Sequence, residues 1–129
     1  MITIEEVEQI HHIVIAEFGG AKGVRDTGAL DGAINWPFAT FDQQELYPRP
    51  IDKAAAIIES ILINHPFVDG NKRTGYVLMR LILLQAGFDI RATQDEKYQF
   101  VISIAQGNLT FDGIKKWIEE RLQQARYSS

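Results

Sequence analysis

Residues 65–74 read His-Pro-Phe-Val-Asp-Gly-Asn-Lys-Arg-Thr and gather the chemically capable side chains of this 129-residue chain into one short run. His65 offers an imidazole, whose reference pKa of about 6.5 suits it to take a proton from a hydroxyl near neutral pH. Asp69 offers a carboxylate of the kind that holds Mg²⁺ beside phosphate oxygens and water. Gly70 and Asn71 form a flexible turn, and an apolar helical pattern begins directly after it. The first turn of a helix leaves N–H groups unpaired and carries partial positive charge, so it attracts anions, phosphate especially. Gly70 lacks a β-carbon and lets the chain pass close to an oxyanion. Asn71 adds an amide donor, and Lys72 and Arg73 add two cations that suit phosphate oxygens. The layout fits binding of a phosphorylated nucleotide and transfer of part of it. Pro66 and Phe67 have plainer roles, fixing the turn and anchoring it in the core, and Thr74 supports the run from its far end.

Each residue also has a blander role open to it. His65 could simply cap a helix, and Asp69 could be an N-cap. Lys72 and Arg73 could be a solvated first turn, although cations oppose the helix dipole there. His11 and His12 have no acidic or histidine companion at ligand spacing and read as structural. Trp36 and Trp117 read as core anchors.

Composition narrows the classes. There is no cysteine, so disulfides, thiolate metal sites and a cysteine nucleophile are excluded, and a cytoplasmic setting is expected. The net charge of -4 does not favour broad nucleic-acid binding. No apolar run is long enough to span a bilayer, and nothing at Met1-Ile2-Thr3-Ile4-Glu5-Glu6 resembles a signal peptide. One domain over 1–126 is expected, with 127–129 a frayed tail.

Helical signals dominate. Thr3 through Glu6 fits a capping box and opens a first helix with Ile4, Val7, Ile10, Ile13 and Val14, ended by Gly19-Gly20. A short second helix carries Leu30, Ala33 and Ile34 and stops near Pro37. Residues 38–50 are irregular, with Tyr47-Pro48-Arg49-Pro50 non-helical. Asp52 reads as the N-cap of a third helix that ends near Asn64. A fourth, from Lys72 to about Ala86, is apolar nearly all round and is expected to be central and buried. Thr93 through Glu96 opens a fifth with Tyr98, Val101, Ile102 and Ala105. Thr110 opens a sixth with Phe111, Ile114, Trp117, Ile118 and Leu122. The expected fold is all-α: one bundle of about six helices around a buried central one.

The run at 65–74 resembles the signature of the Fic/Doc family, His-Pro-Phe-x-Asp/Glu-Gly-Asn-Gly-Arg, at His65, Pro66, Phe67, Asp69, Gly70, Asn71 and Arg73. Lys72 stands where the second Gly belongs. Asn-Lys-Arg-Thr at 71–74 is instead the pattern of the Doc (death-on-curing) branch. Residues 23–30 followed by Ala33 resemble the family's upstream region, and the helical layout and length also resemble Doc.

The resemblance implies an enzyme that moves part of ATP onto a hydroxyl of a target protein. Fic proteins usually transfer AMP. With Lys for Gly, Doc-like proteins are held to bind the nucleotide reversed and move the γ-phosphate. His65 would be the base and Asp69 the Mg²⁺ ligand, with Gly70, Asn71, Lys72 and Arg73 on the phosphates. Leu46 and Tyr47 fall where the family has a target-docking flap. The implied target is translation elongation factor Tu, and the implied partner is an antitoxin acting in trans. The inhibitory-helix pattern Ser/Thr-x-x-x-Glu-Gly/Asn is absent from the sequence. Two other outcomes stay open: a Fic-type AMP transferase, and a catalytically idle module that binds an antitoxin.

Overall fold

Local capping by side chains sets where three of the helices begin. In the computed structural model, which describes residues 2–125, the Thr3 hydroxyl accepts from the Glu6 N–H and the Glu6 carboxylate accepts from the Thr3 N–H, closing the expected box at the start of α1 (Ile4–Phe18). Thr93 and Glu96 do the same for α5 (Gln94–Ala105). Such caps are worth about 1 kcal/mol each. Between them lie α2 (Thr27–Asn35), capped by the Asp26 carboxylate, a single 3₁₀ turn (Trp36–Phe38), α3 (Pro50–Asn64) and α4 (Asn71–Gln85). The last helix is α6 (Phe111–Arg121). The fold is the expected all-α bundle. The expected tail at 127–129 lies outside the described residues.

Two small antiparallel strand pairs complete it. β1 (Thr40–Phe41) pairs with β2 (Gln44–Glu45) through a turn in which Asp42 and Gln43 both have positive φ, the geometry of a tight two-residue hairpin. β3 (Phe88–Ile90) pairs with β4 (Leu122–Gln124), tying the exit of α4 to the segment after α6.

The third helix begins earlier than its sequence implies. Pro50 occupies the first helical position, where its missing N–H costs nothing, and Arg49 is the cap. Asp52 therefore sits in the first turn rather than at the cap. Its carboxylate accepts from the Arg49 N–H and pairs with Arg49 and, on α6, with Lys115.

The centre of the bundle is α3, not α4. Nine of its fifteen residues are buried against seven of fifteen in α4, and it packs on α2, α4, α5 and α6. Three consecutive alanines, Ala54 to Ala56, let neighbours approach on several sides. Val77 and Arg80 of α4 face solvent instead. Other expected core positions also lie outside: Ile13 is exposed on α1, Trp36 is 44% exposed, and on α5 the buried face is Phe100 and Ile104 while Tyr98 is exposed. Trp117 is half-buried and stacks on Phe100 at 3.7 Å.

The α3–α4 contact is the most extensive in the fold and sets the position of the loop between them. Ile58, Ile61 and Leu62 face Gly75, Leu78 and Met79, all buried. A Cβ on Gly75 would lie 2.5 Å from Leu62 Cδ1 and 3.4 Å from Ile61 Cγ2. Alanine gains about 1 kcal/mol over glycine inside a helix, but overpacking a core costs about 1–3 kcal/mol. Leu62 is fully enclosed and has no room to swing away, so packing wins. Gly75→Ala is expected to lower the urea midpoint by an amount worth about 1 kcal/mol. A raised midpoint would show that α3 and α4 part more easily than this contact implies.

Candidate active site

The loop from His65 to Gly70 joins α3 to α4, and both of its ends are left-handed. Gly70 caps α4 with φ 78° and ψ 15°, a conformation natural to glycine. A Cβ there would also sit 3.0 Å from Ile15 Cδ1 of α1. His65 caps α3 with φ 47° and ψ 58°, which is uncommon for a residue with a side chain.

Three sets of contacts hold the loop. Inside it, the Phe67 N–H donates to Asn71 Oδ1 at 3.0 Å, and Asn71 Nδ2 donates back to the Phe67 carbonyl at 3.0 Å. Phe67 is 1% exposed, so the loop hangs from the core by this ring. From α1, the His11 ring stacks on Phe67 with centroids 3.8 Å apart and planes 6° apart. His11 Nε2 lies 2.8 Å from the Asp69 carbonyl oxygen, which can only accept, so Nε2 carries the proton. From the segment before α2, Val24 pairs with Phe67 as an isolated antiparallel bridge, and the Val68 N–H donates to the Gly23 carbonyl at 3.0 Å. Arg25 donates from Nε to the His65 carbonyl at 2.6 Å and from Nη2 to the Asn64 carbonyl at 2.7 Å.

The groups left facing outward are those that chemistry would need. His65 and Asp69 are exposed. The Asp69 carboxylate accepts from the Ala21 N–H at 3.1 Å and the Gly70 N–H at 2.9 Å, and these bonds hold its pKa below the usual carboxylate value. It is therefore ionised at neutral pH with lone pairs remaining. Among the described residues no three acidic, histidine or cysteine side chains gather to form a metal cage. A lone carboxylate fits Mg²⁺ that arrives with phosphates and water, and does not fit a resident structural metal.

Lys72 and Arg73 are exposed in the first turn of α4 and form no ion pair among the described residues. The Arg73 guanidinium lies 4.3 Å from the Phe18 ring centroid. Both cations line a groove of about 410 Å³ between the end of α1, α4 and α5, whose walls include Phe18, Val77, Tyr98 and Lys97.

One predicted role changes. The Asn71 side chain is 8% exposed and turned inward to Phe67, so its amide is not the outward donor that the sequence suggested; what it offers an anion is its backbone N–H at the first position of α4. Thr74 is fully buried, and its hydroxyl has no hydrogen-bonding partner among the described residues. The strand pair lies at 40–45, just before Leu46 and Tyr47. Leu46 is 43% exposed, while the Tyr47 ring sits between Phe111 and Trp36 and seats the hairpin on the bundle. Lys53 of α3 holds that hairpin, donating to Glu45 at 2.8 Å and to the Tyr47 carbonyl. Sequence reading missed Arg25 and the part His11 plays. Neither shows a local signal, since their partners lie 40 and 58 residues away.

The chain is similar to known proteins over part of its length. It is 44% identical over 84 residues to Toxin Doc of Mycolicibacterium smegmatis, a stretch that is 60% of this chain and 65% of that protein. It is 40% identical over 47 residues to Protein adenylyltransferase fic-1 of Caenorhabditis elegans and 38% over the same length to its Caenorhabditis briggsae counterpart, in each case 36% of this chain but 9% of the relative. The Fic/DOC family model matches residues 1–83, from the start of α1 through the loop and into α4. Those residues include every contact that shapes the loop, and the chain belongs to the Fic/Doc family.

Proposed function

We propose that this protein is a Doc-like toxin that transfers the γ-phosphate of ATP to a serine or threonine hydroxyl of a target protein. The observation that carries this is Lys72: an exposed cation without an ion pair among the described residues, in the first turn of α4, where the Fic pattern has glycine. The similarity to Toxin Doc supports it. His65 takes the proton of the target hydroxyl as that oxygen attacks the γ-phosphorus. The bond from that phosphorus to the bridging oxygen breaks, and ADP leaves. Negative charge on the transferred group falls on the free N–H groups of the first turn of α4, Lys72 and Arg73. Aiming fixed donors at developing charge is the main protein contribution to phosphoryl transfer. Asp69 would hold the Mg²⁺ that accompanies the nucleotide, which supplies charge neutralisation at the phosphates.

The partners follow the same reading. A target segment would add to the exposed edge of the β1–β2 hairpin by backbone pairing, and elongation factor Tu is the target the Doc resemblance implies. An antitoxin would inhibit in trans. The groove beside Lys72 and Arg73, cationic and apolar in a chain of net charge -4, suits an acidic amphipathic segment of such a partner. A cytoplasmic site of action fits these partners. Among the described residues no helix is long and apolar enough to cross a membrane.

Transfer of AMP is the second reading, favoured by the similarity to the two adenylyltransferases. The purified protein, free of antitoxin, is to be incubated with Mg²⁺, a bacterial lysate and ATP labelled at either the γ- or the α-phosphate. Label from γ and not α is the expected outcome. Label from α would replace phosphate transfer with AMP transfer, and label from neither would favour an idle antitoxin-binding module.

Two substitutions separate chemistry from scaffold. His65→Ala is expected to reduce labelling at least about 100-fold, as befits a proton acceptor, with the melting temperature nearly unchanged because the ring is exposed. Asn71→Ala removes two buried hydrogen bonds at a cost of about 2–4 kcal/mol, and should lower the melting temperature by roughly 6–12 °C. A stable Asn71→Ala protein would show that the loop is held mainly by His11 and residues 23–25.

A further inference from the structure

We propose that Arg25 is the positioning residue for the catalytic base, holding His65 in its left-handed conformation by gripping the carbonyls on either side of it. This rests on the reading of His65 as proton acceptor. Left-handed geometry costs a β-carbon-bearing residue roughly 1–2 kcal/mol, and it persists only where surrounding contacts over-determine it. The His65 N–H donates to the Ile61 carbonyl of α3 at 3.1 Å, and the remaining contacts come from one place. Three successive carbonyls accept from residues 25 and 26: Asn64 from Arg25 Nη2, His65 from Arg25 Nε, and Pro66 from the backbone N–H groups of Arg25 at 2.8 Å and Asp26 at 3.2 Å.

The geometry explains why the residue is arginine. The carbonyls of Asn64 and His65 lie at the end of α3, where the helix dipole is negative and the last carbonyls lack helical partners. A planar guanidinium spans two carbonyls with fixed donors; an ammonium is a point charge on a mobile stem and cannot hold both in one orientation. Because the Arg25 backbone also binds Pro66, the side chain and the main chain of one residue fix the peptide units before and after the imidazole. The His65 side chain is left exposed while its backbone is not free to turn. Arg25 touches neither the reacting atoms nor the phosphate cradle, so its effect on transfer must pass through His65.

The test compares Arg25→Ala and Arg25→Lys with the wild type, measuring the rate of γ-label incorporation into a fixed lysate against ATP concentration, well below the melting temperature of each variant. Misplacing a reacting group by about 1 Å can cost about 100-fold in rate. Arg25→Ala is therefore expected to lower the maximal rate about 10- to 100-fold while the KM for ATP stays within about twofold. Arg25→Lys should recover only part of the rate. A maximal rate within about twofold of wild type in folded Arg25→Ala, or full recovery by lysine, would overturn the proposal. A second readout needs no activity: the amide and ring resonances of His65 in the selectively ¹⁵N-histidine-labelled protein. They should move in both variants while those of His12 stay in place, and unmoved His65 signals would overturn the proposal. If the wild type transfers neither label, the assignment of function fails on its own and the resonances alone decide the role of Arg25. If Arg25→Ala does not fold, Arg25→Lys carries both readouts.

Discussion

The site depends on one constraint: the chain must leave α3 and enter α4 within six residues, left-handed at both ends. The reciprocal pair of hydrogen bonds between Asn71 and Phe67 makes that path possible. It closes the loop on itself across four residues, satisfies a buried N–H and a buried carbonyl that would otherwise be orphaned, and fixes the Phe67 ring in the core. With Phe67 fixed, His11 has a surface to stack on, and from there its Nε2–H reaches the carbonyl of Asp69. The Asp69 carboxylate is set in turn by the N–H groups of Gly70 and Ala21. Each outward group thus traces back to an inward one.

The two helices that carry the loop supply its rigidity. Fully buried aliphatic side chains contribute about 1.5–3 kcal/mol each, and α3 and α4 place Ile57, Ile58, Ile61, Leu62, Leu78, Met79 and Leu83 in one cluster. The end of α3 and the start of α4 therefore cannot drift apart without opening the core. A loop hung between two such points inherits their precision, as loops on rigid scaffolds generally do.

Much of this was legible because it is local. The capping boxes at Thr3 and Thr93, the short α2, the end of α3 and the start of α4 within one residue are all written in neighbouring residues. Failures arose where tertiary contacts decide. Leucine-rich α4 looks more central than α3, yet enclosure also follows from small residues, and Ala54 to Ala56 draw other helices onto α3. Pro50 reads as a helix breaker until its position at the first turn shows that nothing is lost there. Asn71 was the subtlest case: its chemistry suits an anion as well as a backbone, and only the buried path of Phe67 directs it inward. Arg25 sits in a turn-rich stretch and looks like a solvated cation. Its partners are the carbonyls of a helix end 40 residues away, and side-chain sequence carries no trace of an unpaired carbonyl.

The placement of charge is the physical argument for the proposed reading of the first turn of α4 over a merely solvated one. Cations at a helix N-terminus oppose the dipole by about 0.3–1 kcal/mol each, and α4 has two there and no acidic residue in its first turn. In α1 and α5 the first turn carries Glu5 and Glu6, and Asp95 and Glu96, the favourable arrangement. With Asp52 in α3 and Asp112 in α6, the same chain follows the electrostatic rule at four helices and breaks it at the one that leaves the loop. The nearby Asp69 carboxylate is held by backbone N–H groups and attracts Lys72 electrostatically, but it forms no ion pair with either cation among the described residues, so it relieves the conflict only in part. A bound polyanion would relieve it further, since it would face the free N–H groups and both cations at once. On the proposed reading the local cost in the free protein becomes binding free energy when phosphates arrive, and substitution of Lys72 by a neutral residue should stabilise the fold slightly while weakening its hold on nucleotide.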